Sequence, residues 1–248
     1  NNTMFTPLER LLAFRYLRSR RSEGFISVIA WFSFSGITLG VATLIIVMSV
    51  MNGFRSELVN RILGLNGHLG ITSIQGTHIS DYESLRATFA ENPSILAATP
   101  QIESQVLLSS NRKTFGGIVR GVIWSDLAVR KPLWKSLTNE VIVRFREGEV
   151  ILIGKTMARK LNLSEGDSLT LLAPTGKTTA FGTLPSRQIF KIGGIFEVGM
   201  HEYDSSFIFM PLSSAQEFFS MKKQVTGIEL YIKSPDNAPV IKQYLRNK

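Results

Sequence analysis

Residues Phe25 to Phe54, FISVIAWFSFSGITLGVATLIIVMSVMNGF, decide the fold of this 248-residue chain. The run contains no Asp, Glu, Lys or Arg. About 20 apolar residues cross the ~30 Å hydrocarbon core of a bilayer as a helix, so the run is long enough to span it. A core helix of a soluble protein would carry a polar stripe, and a secretory signal peptide would have a shorter apolar region followed by a small-residue cleavage site. The run therefore predicts a retained transmembrane helix, which we place at residues 25–51.

The charges around the run predict its orientation. Five arginines precede it, against only Glu9 and Glu23; they are Arg10, Arg15, Arg18, Arg20 and Arg21. Because an excess of Lys and Arg marks the cytoplasmic side of a membrane, we expect residues 1–24 to be cytoplasmic and the chain after the span to be outside. The same arginines suit anionic lipid headgroups. They also account for much of the net charge of +9, so that charge does not call for a nucleic-acid partner.

Helical patterns continue on both sides of the span. Residues 5–21 place apolar side chains at spacings of three and four, which predicts a segment lying in the membrane interface. After the span, apolar residues recur at the same spacing as far as Leu65. We therefore expect a helical stalk over residues 52–67, broken by Gly64 and Gly67.

Two glycines inside the span form a GxxxG pair, Gly36 and Gly40. Glycines at this spacing let the backbone of a second helix approach closely, so the pair predicts a helix-packing face. The alternative is that glycine is simply more common in membrane helices than in soluble ones.

From residue 68 onward, short apolar runs and helical patterns interleave without strict alternation. This order favours an α+β domain over residues 68–248. Residues 125–139 fit neither pattern. We expect helices at 81–91, 155–161 and 212–219, a last helical piece after Pro235, and strands at 69–74, 101–109, 116–124, 150–153, 168–173, 188–196, 206–210 and 226–232.

No motif in the chain predicts an enzyme. The tripeptide GKT at 176–178 ends like a phosphate-binding loop, but Leu171 stands where the earlier glycine should be and Pro174 interrupts the loop. The S-x-x-K match at 220–223 has no S-D-N partner. There is no Cys, and the three histidines are too far apart to show metal-ligand spacing. We therefore expect no catalytic residues, no metal site and no cofactor.

Several runs resemble those of the lipoprotein-releasing ABC transporter permeases, the LolC/LolE family. In the N-terminal part these are GITLGVA at 36–42, SVMNGFRSEL at 49–58 and RILGLNGH at 61–68. Later pieces at 151–154, 161–167, 185–186, 189–190, 194–196 and 202–204 are also similar, and are shared more loosely with the wider MacB-like permeases. The resemblance covers nearly the whole chain.

The resemblance implies a MacB-like mixed α/β periplasmic domain after the first transmembrane helix, and a chain truncated within or just after that domain. It also implies a bacterial inner-membrane location. Its partners would be a cytoplasmic ABC ATPase subunit, a second permease subunit that is either identical or different, and a periplasmic carrier. The cargo would be lipoproteins, extracted from the outer leaflet of the inner membrane and passed to the carrier. The ATPase subunit would hydrolyse ATP.

In the LolC branch of this family a β-hairpin hook recruits the carrier, and Pro174–Pro185 is similar to that hook. Phe181 lies where an apolar tip residue is expected. Arg187 and Gln188 occupy the place of a neighbouring pad, in the reverse of the family's order, and Thr170 stands at a further pad position that is basic in the family. The expected carrier-binding residues are Pro174, Lys177, Phe181, Leu184, Pro185, Arg187 and Gln188. The alternative is that 174–185 is a disordered connection, too long for a tight turn.

Two other functions remain open from the sequence. A MacB-like efflux or mechanotransmission permease would carry its own ATPase domain before the span, where this chain has residues 1–24. A membrane-anchored periplasmic scaffold would need no ATPase, so co-purification with one would distinguish it from a transporter.

Overall fold

The apolar run forms part of one uninterrupted helix. In the computed structural model, which describes residues 7–17, 24–74, 78–110, 113–179 and 182–246, helix α1 covers Pro7–Leu17 and helix α2 covers Gly24–Leu65. Within these ranges, Phe25–Arg55 is the one stretch long and apolar enough to cross a membrane, and none of its most apolar part is buried. The expected span and stalk are thus a single helix, which passes through Gly64 and ends one residue later.

The chain divides into two compact units, residues 1–58 and 59–248, and the second contains the mixed α/β domain. Its helices are α3 Tyr82–Ala90, α4 Lys131–Lys135, α5 Asn139–Arg146, α6 Lys155–Leu161, α7 His201–Ser206, α8 Leu212–Phe218 and α9 Ala238–Arg246. Its strands are β1 Leu69–Thr72, β2 Ile95–Ser110, β3 Lys113–Val122, β4 Val150–Gly154, β5 Ser168–Thr179, β6 Gly182–Phe196, β7 Phe207–Pro211 and β8 Gly227–Ile232. Short 3-10 turns lie at Trp124–Leu127 and Pro235–Asn237.

The strands form one mixed sheet in the order β1-β8-β2-β3-β7-β4-β6-β5. An additional antiparallel pairing between β2 and β5 closes the last six of these strands into a ring. The long strand β2 makes this possible, because its first half pairs with β8 and its second half with β3 and β5. Only β3–β7 and β4–β6 are parallel among the described pairings.

Two apolar clusters lie on opposite faces of the ring. All six ring strands contribute to the larger one, through Val106, Leu108, Val119, Ile153, Leu171, Ile192 and Ile208 among others, and we call this side the inner face. The second cluster lies on the outer face of β4 and β7, where Leu127, Leu133 and Phe145 pack from the 3-10 turn, α4 and α5. Since both faces of β4 and β7 are buried, these strands read as continuous apolar runs.

The structure confirms most of the expected helices and strands and differs from the expectation at several points. The strand expected at 101–109 begins already at Ile95, and the helix at Asn139–Arg146 was not expected. Residues 125–139, which fitted no pattern, form the first 3-10 turn, α4 and the start of α5. Helix α7 was not expected, because six residues are too few to show a helical repeat. The segment 174–185 is not a long connection: β5 continues to Thr179 and β6 begins at Gly182, which leaves two residues between the strands.

A hairpin on the ring and an anchor at the end of the long helix

The β5–β6 hairpin extends beyond the ring. Strand β5 pairs with β2 at 170–172, and β6 pairs with β4 from residue 191 onward. Beyond these positions the two described strands pair only with each other, from Ala173 opposite Ser186 to Thr179 opposite Gly182. The expected β-hairpin is therefore present as a two-stranded projection.

The prolines mark the base of this projection. Pro174 and Pro185 are both exposed, and the pairing register shifts between Ala173 and Lys177. A proline has no N–H to donate to a ladder, and is found at bulges and edges where none is needed. Further out, Lys177 pairs with Leu184 through the backbone. Phe181, the expected tip residue, lies outside the described residues.

The two expected pad residues do not share a face. Arg187 and Gln188 are consecutive residues of β6, so their side chains point to opposite sides of the strand. Arg187 lies opposite Leu172 on the outer face, whereas Gln188 lies opposite Leu171, which is fully buried on the inner face. Thr170 shares the outer face with Arg187. The resemblance implied that Arg187 and Gln188 act together in one pad, whereas in the structure their side chains lie on opposite faces of β6.

The end of α2 is anchored to strand β8. Leu65 is fully buried, and its carbonyl oxygen accepts a hydrogen bond from the Tyr231 hydroxyl at 3.1 Å. The His68 N–H donates to the Leu230 carbonyl at 2.8 Å. The Ile232 N–H in turn donates to His68 Nδ1 at 3.1 Å. The chain therefore leaves the helix already bonded to the sheet.

A buried charge cluster lies beside this anchor. The Glu229 carboxylate is 2.8 Å from the guanidinium of Arg130, which is fully buried, and 3.9 Å from that of Arg120. Arg120 also pairs with Glu103 and donates to the Asn66 side-chain oxygen at 2.8 Å. Asn66 directly follows α2, so the cluster ties the helix end to strands β2, β3 and β8. We name Glu229, Arg120, Arg130 and Tyr231 the anchor cluster.

Burial and charge set the protonation states around the anchor. Burial alone would lower the pKa of Arg120, but Glu229 and Glu103 raise it above its ordinary value, which keeps the guanidinium charged. Burial raises the pKa of Tyr231, so its hydroxyl remains a donor. Burial lowers the pKa of His68, which favours the neutral ring that accepts the backbone hydrogen bond.

The anchor cluster was not predicted from the sequence, although two of its charged residues are recognisable there. Glu229 lies in GIELYI, and Arg120 lies in GGIVRGV, so each is a single charge within an apolar strand. Such a charge is buried only when it is paired. In the described ranges, no group of three or more His, Cys, Asp or Glu side chains is arranged to hold a metal ion.

Comparison with known proteins shows which family has this architecture. The family model described as "MacB-like periplasmic core domain" matches residues 30–248. The chain is 35% identical over 236 residues to the lipoprotein-releasing system transmembrane protein LolC of Xylella fastidiosa strain Temecula1, which covers 95% of this chain and 56% of that protein. It is 31% identical over 235 residues to LolC of Neisseria meningitidis, with 94% of this chain and 56% of that protein covered. The expected resemblance is thus confirmed, and the chain spans about half the length of these relatives.

Among solved structures, the chain is similar to the periplasmic region of MacB from Actinobacillus actinomycetemcomitans. The TM-score is 0.47 and the identity 16%, with 76% of this chain and 86% of that chain covered. The extracellular domain of the ABC-type transporter YknZ from Gram-positive bacteria matches with the same TM-score at 13% identity, and covers 69% of this chain and 88% of that one.

Proposed function

This chain belongs to the MacB-like periplasmic core domain family, and we propose that it is a permease subunit of an ABC transporter in the bacterial inner membrane. Its role would be to release lipoproteins from that membrane and to transfer them to a periplasmic carrier. The observation that carries the proposal is the β5–β6 hairpin, which projects from the ring with prolines at its base. The similarity to relatives named as parts of a lipoprotein-releasing system supports the choice of cargo.

The long helix supplies a route by which work done at the membrane reaches the periplasmic domain. Helix α2 is continuous from the apolar run to Leu65, where the anchor cluster and the β8 hydrogen bonds begin. In the proposed permease, an ATPase subunit on the cytoplasmic side would move α2. The anchor would pass that movement to the sheet that carries the hairpin, because a buried joint held by hydrogen bonds and ion pairs yields little under load.

Reconstitution tests the proposal. The full-length protein should co-purify with a cytoplasmic ABC ATPase and a second permease subunit. In proteoliposomes that contain a labelled lipoprotein, ATP should transfer the label to soluble carrier. Absence of any ATPase partner would favour the scaffold, and ATPase activity without lipoprotein release would favour an efflux permease; either result would overturn the proposal.

The orientation is tested with reporter fusions. Alkaline phosphatase fused after Gly67 should be active, because the arginines before the span hold residues 1–24 in the cytoplasm and phosphatase folds only outside it. Moving such charges through the bilayer centre costs about 2.5–3.5 kcal/mol each on insertion scales, which disfavours inversion. As the control, a fluorescent protein fused before residue 1 should be bright. An inactive phosphatase together with a non-fluorescent N-terminal fusion would show that the orientation is the opposite of the one proposed.

The GxxxG pair is tested by substitution within α2. A Cβ built on Gly36 or Gly40 meets nothing within 4 Å, so a larger side chain fits the chain itself. If these glycines contact a helix of a second permease subunit, Gly36→Leu or Gly40→Leu should lower the yield of assembled complex several-fold while membrane insertion is unchanged. Gly53→Leu is the matched control, because its Cβ is equally unobstructed. Equal yields of assembled complex for all three variants would mean that Gly36 and Gly40 face lipid rather than a second helix.

A further inference from the structure

The end of α2 is bonded to two separate parts of the domain. The Leu65 carbonyl oxygen accepts a hydrogen bond from the Tyr231 hydroxyl on β8, a strand that lies outside the ring. The next residue, Asn66, donates a side-chain N–H to the hydroxyl of Tyr203 in α7. Helix α7 joins β6 to β7, and both of these strands belong to the ring. The second bond therefore connects the helix end to the ring, through a residue that is not part of the anchor cluster.

The Asn66 side chain is held at both of its polar atoms. Its oxygen accepts from the Arg120 guanidinium at 2.8 Å, and its nitrogen donates to Tyr203. The Tyr203 ring stacks on Phe207 with 4.5 Å between the ring centroids, and the Arg120 guanidinium lies 4.9 Å from the centroid of the same Phe207 ring. Packing thus positions the Tyr203 ring independently of its hydroxyl. Tyr203→Phe would remove the hydrogen bond and leave the stack in place.

Helix α7 packs directly against the ring. A Cβ on Gly154, the last residue of β4, would overlap the carbonyl group of Asp204, so the two backbones are in contact. The Asp204 carboxylate accepts hydrogen bonds from the Val198 N–H at 2.9 Å and from the Gly199 N–H at 3.2 Å. These bonds tie α7 to the short segment that follows β6. Since α7 is fixed both to β4 and to this segment, a displacement of α7 would act on the ends of both strands.

The strand that leads to α7 also forms one side of the hairpin. Strand β6 runs from Gly182 to Phe196. Its last residues pair with β4, and its first residues pair with β5 in the projection beyond the ring. At about 3.3 Å per residue, the strand connects two points roughly 45 Å apart. The hairpin and α7 therefore lie at opposite ends of one strand.

We propose that Tyr203 is a positioning residue of the transporter, through which movement of α2 reaches the hairpin. The Asn66–Tyr203 hydrogen bond passes the movement to α7, and β6 carries it from α7 to the hairpin. The Tyr231 bond instead holds the domain on the helix, since β8 is not a strand of the ring. This inference rests on the proposed function, in which an ATPase subunit moves α2.

The test compares lipoprotein release with ATP hydrolysis in proteoliposomes that contain the full-length protein, its ATPase and the second permease subunit. Tyr203→Phe should lower the number of labelled lipoproteins transferred to soluble carrier per ATP about two- to tenfold, the range that corresponds to one hydrogen bond. The rate of ATP hydrolysis should stay within about twofold of the parent's, because the substitution lies outside the ATPase. A loss of folded protein would lower release and hydrolysis together and would leave their ratio unchanged.

Asn66→Ala changes the other end of the same bond. It should lower release per ATP at least as much as Tyr203→Phe, because it also removes the bond to Arg120. In the double variant, Tyr203→Phe should lower the ratio no further, because two residues that act through one bond do not have additive effects. A further fall in the double variant would mean that Tyr203 acts by another route, and would overturn the inference.

Tyr231→Phe is the matched control, because it removes the other tyrosine hydroxyl that bonds the helix end. It should lower the melting temperature, since the buried Leu65 carbonyl loses this donor. Its release per ATP should stay within about twofold of the parent's. A melting temperature for Tyr203→Phe equal to that of the parent would support a role in coupling rather than in folding.

Lipoprotein transfer by the parent separates failure of this inference from failure of the proposed function. If the parent transfers lipoprotein and Tyr203→Phe has the parent's ratio of release to hydrolysis, the inference is overturned and the proposed function stands. Equal falls of the ratio in Tyr203→Phe and Tyr231→Phe would also overturn the inference, because the effect would not be specific to α7. A parent that hydrolyses ATP but transfers no lipoprotein would overturn both.

Discussion

Glu229→Gln is expected to lower the free energy of unfolding of the mixed α/β domain by about 3–5 kcal/mol. Glu229 is the carboxylate within 4 Å of both Arg120 and Arg130, which are 5% and 0% exposed. Glutamine keeps the shape of the side chain but not its charge. Removing one partner of a buried pair leaves the other charge desolvated and uncompensated, which costs far more than the pair contributed. Urea denaturation followed by tryptophan fluorescence, at constant detergent, measures the change.

Glu103→Gln is the matched control for this prediction. Glu103 also pairs with Arg120, but its side chain is 41% exposed, so water screens the lost charge. Exposed ion pairs contribute about 0–1 kcal/mol, and we expect a loss in that range. Equal and small losses in the two variants would show that the anchor cluster does not stabilise the domain. A large loss in Glu103→Gln alone would place the critical charge on β2 instead.

Phe181→Asp is expected to weaken carrier binding by more than about 100-fold, or about 2.7 kcal/mol. The expectation rests on the sequence of the hairpin, since Phe181 lies between the described ends of β5 and β6. One aromatic residue among small ones suits insertion into an apolar cavity of a partner, where buried aromatic side chains dominate affinity. A carboxylate in that cavity would have to be desolvated without a partner. Isothermal calorimetry with the full-length protein and lipid-free carrier measures the loss.

The control for Phe181→Asp is Val143→Asp, which adds the same charge at another exposed apolar position. Val143 is 44% exposed on α5, at a distance in sequence from the hairpin. The affinity of Val143→Asp for the carrier should stay within about twofold of the parent's. Both variants should keep the parent's melting temperature. Unchanged affinity in folded Phe181→Asp would mean that the hairpin does not bind the carrier.

The sequence predicted the features that depend on local patterns. The charge-free run at 25–54 could only be a long apolar helix, and the helix at 155–161 was placed at its observed bounds because an apolar run before it and a turn after it fix both ends. Strands such as β7 and β8 were predicted to within a residue for the same reason. Local patterns alone predicted only a connection of twelve residues at 174–185. The hairpin was predicted from the resemblance to a known family.

What the sequence could not show depends on contacts between distant residues. The ring closes because β2 pairs with β5, about sixty positions later in the chain, and no local signal specifies that pairing. The same closure decides that Arg187 faces outward and Gln188 inward, although the two are adjacent. The charges of the anchor cluster come from positions 120, 130 and 229, so each of them looked isolated until the strands were assembled.

Site-specific photocrosslinking in living cells tests the central claim, that this chain hands lipoproteins to a periplasmic carrier through its hairpin. A photoreactive amino acid is placed at position 181, at position 187, or at position 70 on the edge strand β1. We expect a crosslink to the periplasmic carrier from 181 and from 187 and none from 70. Crosslinks from 70 as strong as those from the hairpin, or no carrier among the products from 181, would contradict it.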